Sequence, residues 1–321
     1  MGQIAKLIAA CLASLLIYGV VFGVLVHKPL TVGVIDDLLR FKEAYAARAA
    51  VPKLIIFAGS NARFSHRCQT IEKLLSMPCV NFGVGRGIGL DYLFDRLEPL
   101  LKPGDVVYMP LEYEWYLDDK IAAMTGPDAE LMFFGDKEKL LGFGGERVLR
   151  AFFSFDLRYL VSALSEMALQ AIGVQRRVGL ATMTPQGDEA GHTPAEAAPY
   201  RAYLATVSPY IPTAETLAAS SYVEHQLAGF LTWARQHGIL VIGGLQTTFR
   251  DAPVTEETID ALRHIYEANG QRFLVLPSRS QYPRDCFFDT YAHLTEPCQI
   301  AHSNALAAAL APTIAANRGA R

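Results

Sequence analysis

From Leu7 to Val26 twenty consecutive residues carry no charge (LIAACLASLLIYGVVFGVLV). A helix of that length covers about 30 Å, the hydrocarbon thickness of a bilayer. A core helix would show a polar face, and this run shows none. A cleaved signal peptide would have a shorter apolar stretch followed by a small-x-small site. Here the run ends in Leu25-Val26-His27-Lys28-Pro29-Leu30. The expectation is an uncleaved signal anchor over residues 1–30, one transmembrane helix with lipid against residues 7–26. Lys6 flanks one end and His27 and Lys28 the other, so the positive-inside rule leaves orientation nearly balanced.

The cysteines bear on orientation. Cys11 lies inside the apolar run, and the other four form two close pairs, Cys68 with Cys79 and Cys286 with Cys298. Four cysteines allow three connectivities, and the sequence alone does not choose. The local pairing would close two short loops, each worth about 3 kcal/mol in the chain-entropy picture. Disulfides persist in oxidising compartments, which favours an extracytoplasmic domain over reduced thiols in a cytosolic one. The pairs lack the double Cys-x-x-Cys spacing of a zinc site, so no metal is expected. The net charge of −3, with no long basic run, gives no nucleic-acid footprint.

Beyond the anchor, residues 31–50 read as a polar-faced stalk helix. Residues 51–321 then alternate short apolar runs with helical patterns. The runs are 53–58, 79–82, 105–111, 239–245 and 272–276, each bounded by turn residues. Continuous apolar runs of that length suit strands buried on both faces. Five of them separated by helices predict an α/β fold with a five-stranded parallel sheet covered by helices on both sides. The alternation breaks from about 117 to 212, read as a mostly helical insertion able to cover a site.

Ligands of such sheets bind beyond the carboxyl ends of the strands. Three segments fall there: the turn at Ser60 and Asn61 after the first strand, the glycine loop Gly83–Gly89 after the second, and Asp289–His293 before the last helix. A serine hydroxyl needs a base within reach and the base needs an orienting acid. Ser60 alone reads as a helix N-cap and Asp289 alone as a turn residue. Together with His293, at one edge of the sheet, they read as a nucleophile, an orienting acid and a base. The glycine loop fails the G-x-G-x-x-G pattern because Ile88 occupies the last position, which argues against a dinucleotide. Gly85 is the candidate oxyanion donor through its amide, and Asn61 and Arg86 are candidates for oxyanion or substrate contact. Glu112, Tyr113 and Tyr116 follow the third strand, where an aromatic-rich segment reads as packing.

At these residues the chain resembles the SGNH/GDSL hydrolase superfamily, in its membrane-anchored bacterial branch that includes proteins of cell-surface polysaccharide acylation. The matching blocks are Phe57-Ala58-Gly59-Ser60-Asn61, Val80-Asn81-Phe82-Gly83-Val84-Gly85, Lys102-Pro103-Gly104-Asp105-Val106-Val107 and Phe288-Asp289-Thr290-Tyr291-Ala292-His293-Leu294-Thr295, covering about two thirds of the chain. The resemblance implies a flavodoxin-like three-layer sandwich. It implies Ser60 as nucleophile, His293 as base, Asp289 as its orienter and Gly85 as oxyanion donor, with no cofactor. The first block is Gly-Ser-Asn rather than Gly-Asp-Ser. The Gly-x-Asn-Asp of the third block is replaced by Pro110-Leu111-Glu112-Tyr113, so the side-chain oxyanion donor has no assignee. The Asp-to-His spacing is one residue longer than the common Asp-x-x-His.

The expected activity is acyl transfer or ester hydrolysis on a cell-envelope or secreted polysaccharide, through an acyl-serine. The resemblance further implies a single-pass protein of the bacterial inner membrane, its domain on the periplasmic side, with a membrane-bound O-acyltransferase as partner. The competing reading is a non-catalytic scaffold or glycan-binding protein on the same fold, which the missing third-block Asn favours.

Overall fold

The computed structural model describes residues 2–25, 30–173, 180–219 and 222–319. Val26, His27 and Lys28, where the apolar run ends and its charged flank begins, lie outside the described residues. Helix α1 (Gly2–Val20) continues into one wider turn at Val21–Leu25. Gly2–Gly23 has a mean hydropathy of 2.2 and is long and apolar enough to cross a membrane.

The expected sheet is present. β1 (Leu54–Ile56), β2 (Cys79–Asn81), β3 (Val106–Met109), β4 (Leu240–Gly244) and β6 (Arg272–Leu274) form five parallel strands in the order β2-β1-β3-β4-β6. The first strand crosses to β2 and the chain then returns past it to β3, a doubly wound order with its switch point between β1 and β3. Leu54 pairs with Cys79 on one side and Val106 on the other, so the carboxyl ends of these strands finish level. Residues of β1, β2 and β3 are all buried, as the continuous apolar runs require. A short parallel pair, β5 (Thr248–Phe249) with β7 (Gln281–Tyr282), has no counterpart in the sequence reading.

The helices follow in chain order: α2 (Leu30–Arg48), α3 (Ser60–Ser65), α4 (Cys68–Leu75), α5 (Leu90–Leu97), α6 (Lys120–Met124), α7 (Pro127–Gly135), α8 (Lys137–Gly142), α9 (Gly145–Phe152), α10 (Leu157–Ala171), α11 (Arg201–Thr206), α12 (Ala214–Ala219), α13 (Tyr222–Gln236), α14 (Glu256–Glu267) and α15 (Glu296–Gly319). Helices α3, α4 and α15 pack on one another, and α5, α13 and α14 form a second set. With the right-handed crossovers that parallel connections adopt as a rule, the two sets cover opposite faces of the sheet in three layers. Thr255 caps α14 by accepting from the Thr258 amide.

The chain divides into two compact units. The smaller holds residues 1–37 and 124–178, and the larger holds 38–123 and 179–321. Two expectations change. Residues 31–50 are not a free stalk, because from Leu38 onward α2 belongs to the larger unit. There Leu38, Leu39 and Ala46 are buried, and the Lys42 ammonium donates to the carbonyls of Asn81 (2.8 Å) and Gly187 (2.5 Å). The insertion is likewise not one body: 124–178 goes with the anchor helix and 179–212 with the sheet.

The four paired cysteines stand at disulfide distance in the local pairing, Cys68 with Cys79 and Cys286 with Cys298.

Candidate functional site

The turn after β1 is built by contacts that leave Ser60 at its apex. Ser60 begins α3, and its two chain neighbours are tied down. The Glu112 carboxylate accepts the Gly59 amide through Oε2 and the Asn61 amide through Oε1, both at 2.9 Å. Among the described residues nothing accepts the N–H of Ser60 itself. Gly59 is needed for space. A Cβ there would sit 2.6 Å from Glu112 Oε1 and 2.7 Å from the Arg86 amide nitrogen. Gly83 is needed for the same reason, since its Cβ would meet the Ala62 side chain and the Gly59 carbonyl at 2.6 Å. The β1 and β2 loops therefore press backbone to backbone beside Ser60.

Burial pushes the Glu112 carboxyl up to about 7, against the pull of the Asn61 and Gly59 amides, which favour its ionised form. The sequence offered no sign of this role. Glu112 looked like one polar residue in an aromatic stretch, and only the fold brings it under the turn at Ser60.

Asn61 is not turned outward. It is fully buried, its Nδ2 donates to the Pro110 carbonyl (2.8 Å), and its Oδ1 accepts the Thr247 hydroxyl (2.7 Å). It braces the β1 turn against the segments that follow β3 and β4, which occupies both ends of its amide. The substrate or oxyanion contact expected of it gives way to that bracing role.

His293 is held on two sides. Its Nδ1 lies 2.7 Å from Asp289 Oδ1, as the triad order requires. Its ring lies flat on Phe64, with centroids 4.3 Å apart and planes 14° apart. Phe64 is one helical turn beyond Ser60 on α3, so the two share a face. The next residue of α3 secures the backbone around the imidazole. The Ser65 hydroxyl donates to the Ala292 carbonyl (2.9 Å) and accepts the Leu294 amide (3.3 Å). The structure thus brings Ser60 and His293 to one rim of the sheet through α3. No hydrogen bond joins them among the described residues.

The loop carrying Asp289 and His293 is closed at its base. Phe287 bridges Leu294, the Thr295 amide donates to the Cys286 carbonyl (2.7 Å), and Cys286 pairs with Cys298 at the start of α15.

Gly85 is beside the turn but has open space where a Cβ would go, so it is not the close-approach glycine. Nothing among the described residues accepts its amide. Arg86 is half-exposed and paired with Asp118 at 2.5 Å, with a further bond to the Glu114 carbonyl (3.2 Å). Its charge is met by the protein, which weakens the expectation of an acidic substrate group. The Glu114 carboxylate also accepts the Tyr291 hydroxyl, so a chain of contacts links three loops. From the insertion, His192 is buried and stands edge-on to Phe64 (5.4 Å) and Phe288 (5.8 Å). Burial lowers its pKa, which favours a neutral imidazole. No pattern in the sequence set His192 apart from the other histidines.

The chain is an α/β protein with a five-stranded parallel sheet, in which Asp289 pairs with His293 and the imidazole lies on Phe64 of the helix that Ser60 begins. No family model, no curated protein and no solved structure matches the chain.

Proposed function

We propose that the chain is a membrane-anchored, serine-dependent acyl-transfer enzyme of the SGNH type. The observation that carries this is the Asp289–His293 pair lying ring-to-ring on Phe64, one turn from Ser60 on the same helix. Asp289 holds the Nδ1 proton, leaving Nε2 to act as base. His293 takes the proton from the Ser60 hydroxyl as its oxygen attacks the carbonyl of an acyl donor. The N–H groups of Ser60 and Gly85 receive the negative charge on that oxygen. His293 then returns the proton to the leaving alcohol, giving an acyl-serine. A hydroxyl of a cell-envelope polysaccharide, or water, attacks next, with His293 again moving the proton. The two disulfide-distance pairs favour an oxidising compartment, the periplasmic side of the inner membrane. A membrane-bound O-acyltransferase is the partner that would deliver the acyl group.

A second reading, a glycan-binding scaffold, is favoured by Glu112. An acceptor stands under the turn where the resembling family carries a donor. A fluorophosphonate probe separates the two. Adduct on Ser60 that disappears in His293→Ala supports the enzyme. A folded protein with neither adduct nor p-nitrophenyl acetate turnover supports the scaffold.

A further inference from the structure

Part of the smaller unit turns apolar residues outward and holds charged groups inside. In α10, Leu157, Val161, Leu164 and Ala168 are all exposed and fall within about 60° of one another around the helix axis. Leu149 and Ile172 extend the exposed apolar surface, and Leu157 and Ile172 are more than 70% exposed (73% and 74%). Three charged groups face the other way, while Glu146, Asp156 and Arg158 stay exposed outside the stripe. Arg147 and Asp128 pair with both side chains at 0% exposure, and Glu166 of α10 is buried on the side opposite the apolar stripe. Water-soluble helices put the stripe inside and the charges outside. Apolar surface outward with ionisable groups paired inward is the arrangement that hydrocarbon solvent imposes.

The same unit contains the anchor, and the two parts are packed together. The Tyr18 hydroxyl of α1 donates to the Phe152 carbonyl (2.5 Å). The Phe22 ring, beyond α1, stacks on Phe155 with centroids 5.5 Å apart. Both contacts come from the C-terminal end of the apolar span Gly2–Gly23, so the apolar surface of α9 and α10 continues that of the anchor near one membrane face.

We propose that residues 145–172 are a second membrane element. They form a helical collar around the end of the anchor, with the outward face of α10 immersed among phospholipid acyl chains. The proposal rests on the anchor reading of residues 7–26, and it takes this segment out of the role of a cover for the site. The collar would hold the smaller unit at a fixed depth in the membrane, which a single flexible span does not do.

The test uses the full chain in phosphatidylcholine–phosphatidylglycerol vesicles, with Cys11→Ser as background. Nitroxides are placed singly at Leu157→Cys and Leu164→Cys. Leu12→Cys reports the anchor, and Leu74→Cys reports an exposed position of the larger unit. Collision with oxygen, which concentrates in lipid, is compared with collision with a water-soluble nickel chelate. Oxygen dominating at 157, 164 and 12, and nickel at 74, is the expected result. Nickel dominating at 157 and 164 while oxygen dominates at 12 overturns the collar and leaves the anchor intact. Nickel dominating at 12 overturns the anchor and the collar with it. Labels at 157 and 164 shielded from both reagents mean a protein covers the stripe, which also overturns the proposal.

Discussion

The Glu112 carboxylate holds the backbone amides on both sides of Ser60, at 2.9 Å each, and leaves the Ser60 amide between them untaken. A carboxylate oxygen pair can serve two donors at once, whereas a neutral carboxyl or a carboxamide offers one good acceptor and one donor. Both Glu112 oxygens accept in this turn, which is the arrangement of the ionised carboxylate, and burial works against that charge. Glu112→Gln places an NH2 against one of the two amides, and the turn loses a bond. The expected outcome is a fall in fluorophosphonate labelling of Ser60 of about tenfold or more, the equivalent of about 1.4 kcal/mol.

The same residue imposes a pH signature on stability. Its pKa is raised in the folded chain from 4.5 to about 7, by burial first. The folded state therefore binds more protons than the unfolded one between these values, and the contribution is fully present below 4.5 and lost as pH rises through 7. Thermal melts of the native chain carry this loss, and Glu112→Gln removes it. An unchanged slope of Tm against pH in the variant counts against Glu112 as its source.

Phe64 is the wall behind His293. Phe64→Ala removes a stacked ring worth about 0.5–1.5 kcal/mol beyond its area and frees the imidazole to rotate off Asp289. Turnover of an acyl ester should fall, in kcat more than in KM, while Ser65 continues to hold the loop through Ala292 and Leu294. A variant whose kcat stays at the native value counts against Phe64 as a positioning residue for His293.

Much of this architecture was legible in the sequence, for identifiable reasons. Strands buried on both faces must be apolar throughout, so the runs at Leu54, Cys79, Val106 and Leu240 marked the sheet; the edge strand at Arg272 is only half-buried, and each strand proved shorter than its run. Ser60, Asp289 and His293 stood out because strand ends are where such a sheet places chemistry, and the structure pairs Asp289 with His293 against Phe64 of the helix that Ser60 begins. The remainder depends on contacts that hydropathy does not encode. Lys42 looked like the solvated face of a stalk, yet it is buried against the carbonyls of Asn81 at the end of β2 and of Gly187. Asn61 looked available beside the nucleophile, yet Pro110 and Thr247 already occupy it. The division of the insertion between two units follows from the partners its halves find in space.

The two glycines nearest Ser60 separate steric need from chemical role. Gly59 has Glu112 Oε1 and the Arg86 backbone where a Cβ would go, at 2.6 and 2.7 Å, and backbone cannot step aside cheaply. Gly59→Ala should therefore distort the turn, with ester turnover lost and the melting temperature lowered. Gly85 meets nothing within 4 Å and has no positive φ, so alanine fits there. Its proposed contribution is an amide, which alanine keeps. Gly85→Ala should then fold and turn over within a few-fold of the native chain. A Gly85→Ala protein that melts normally but has lost turnover would mean that substrate needs the space above Gly85. A Gly59→Ala protein with native turnover would mean that the Glu112 strap is not what sets the nucleophile.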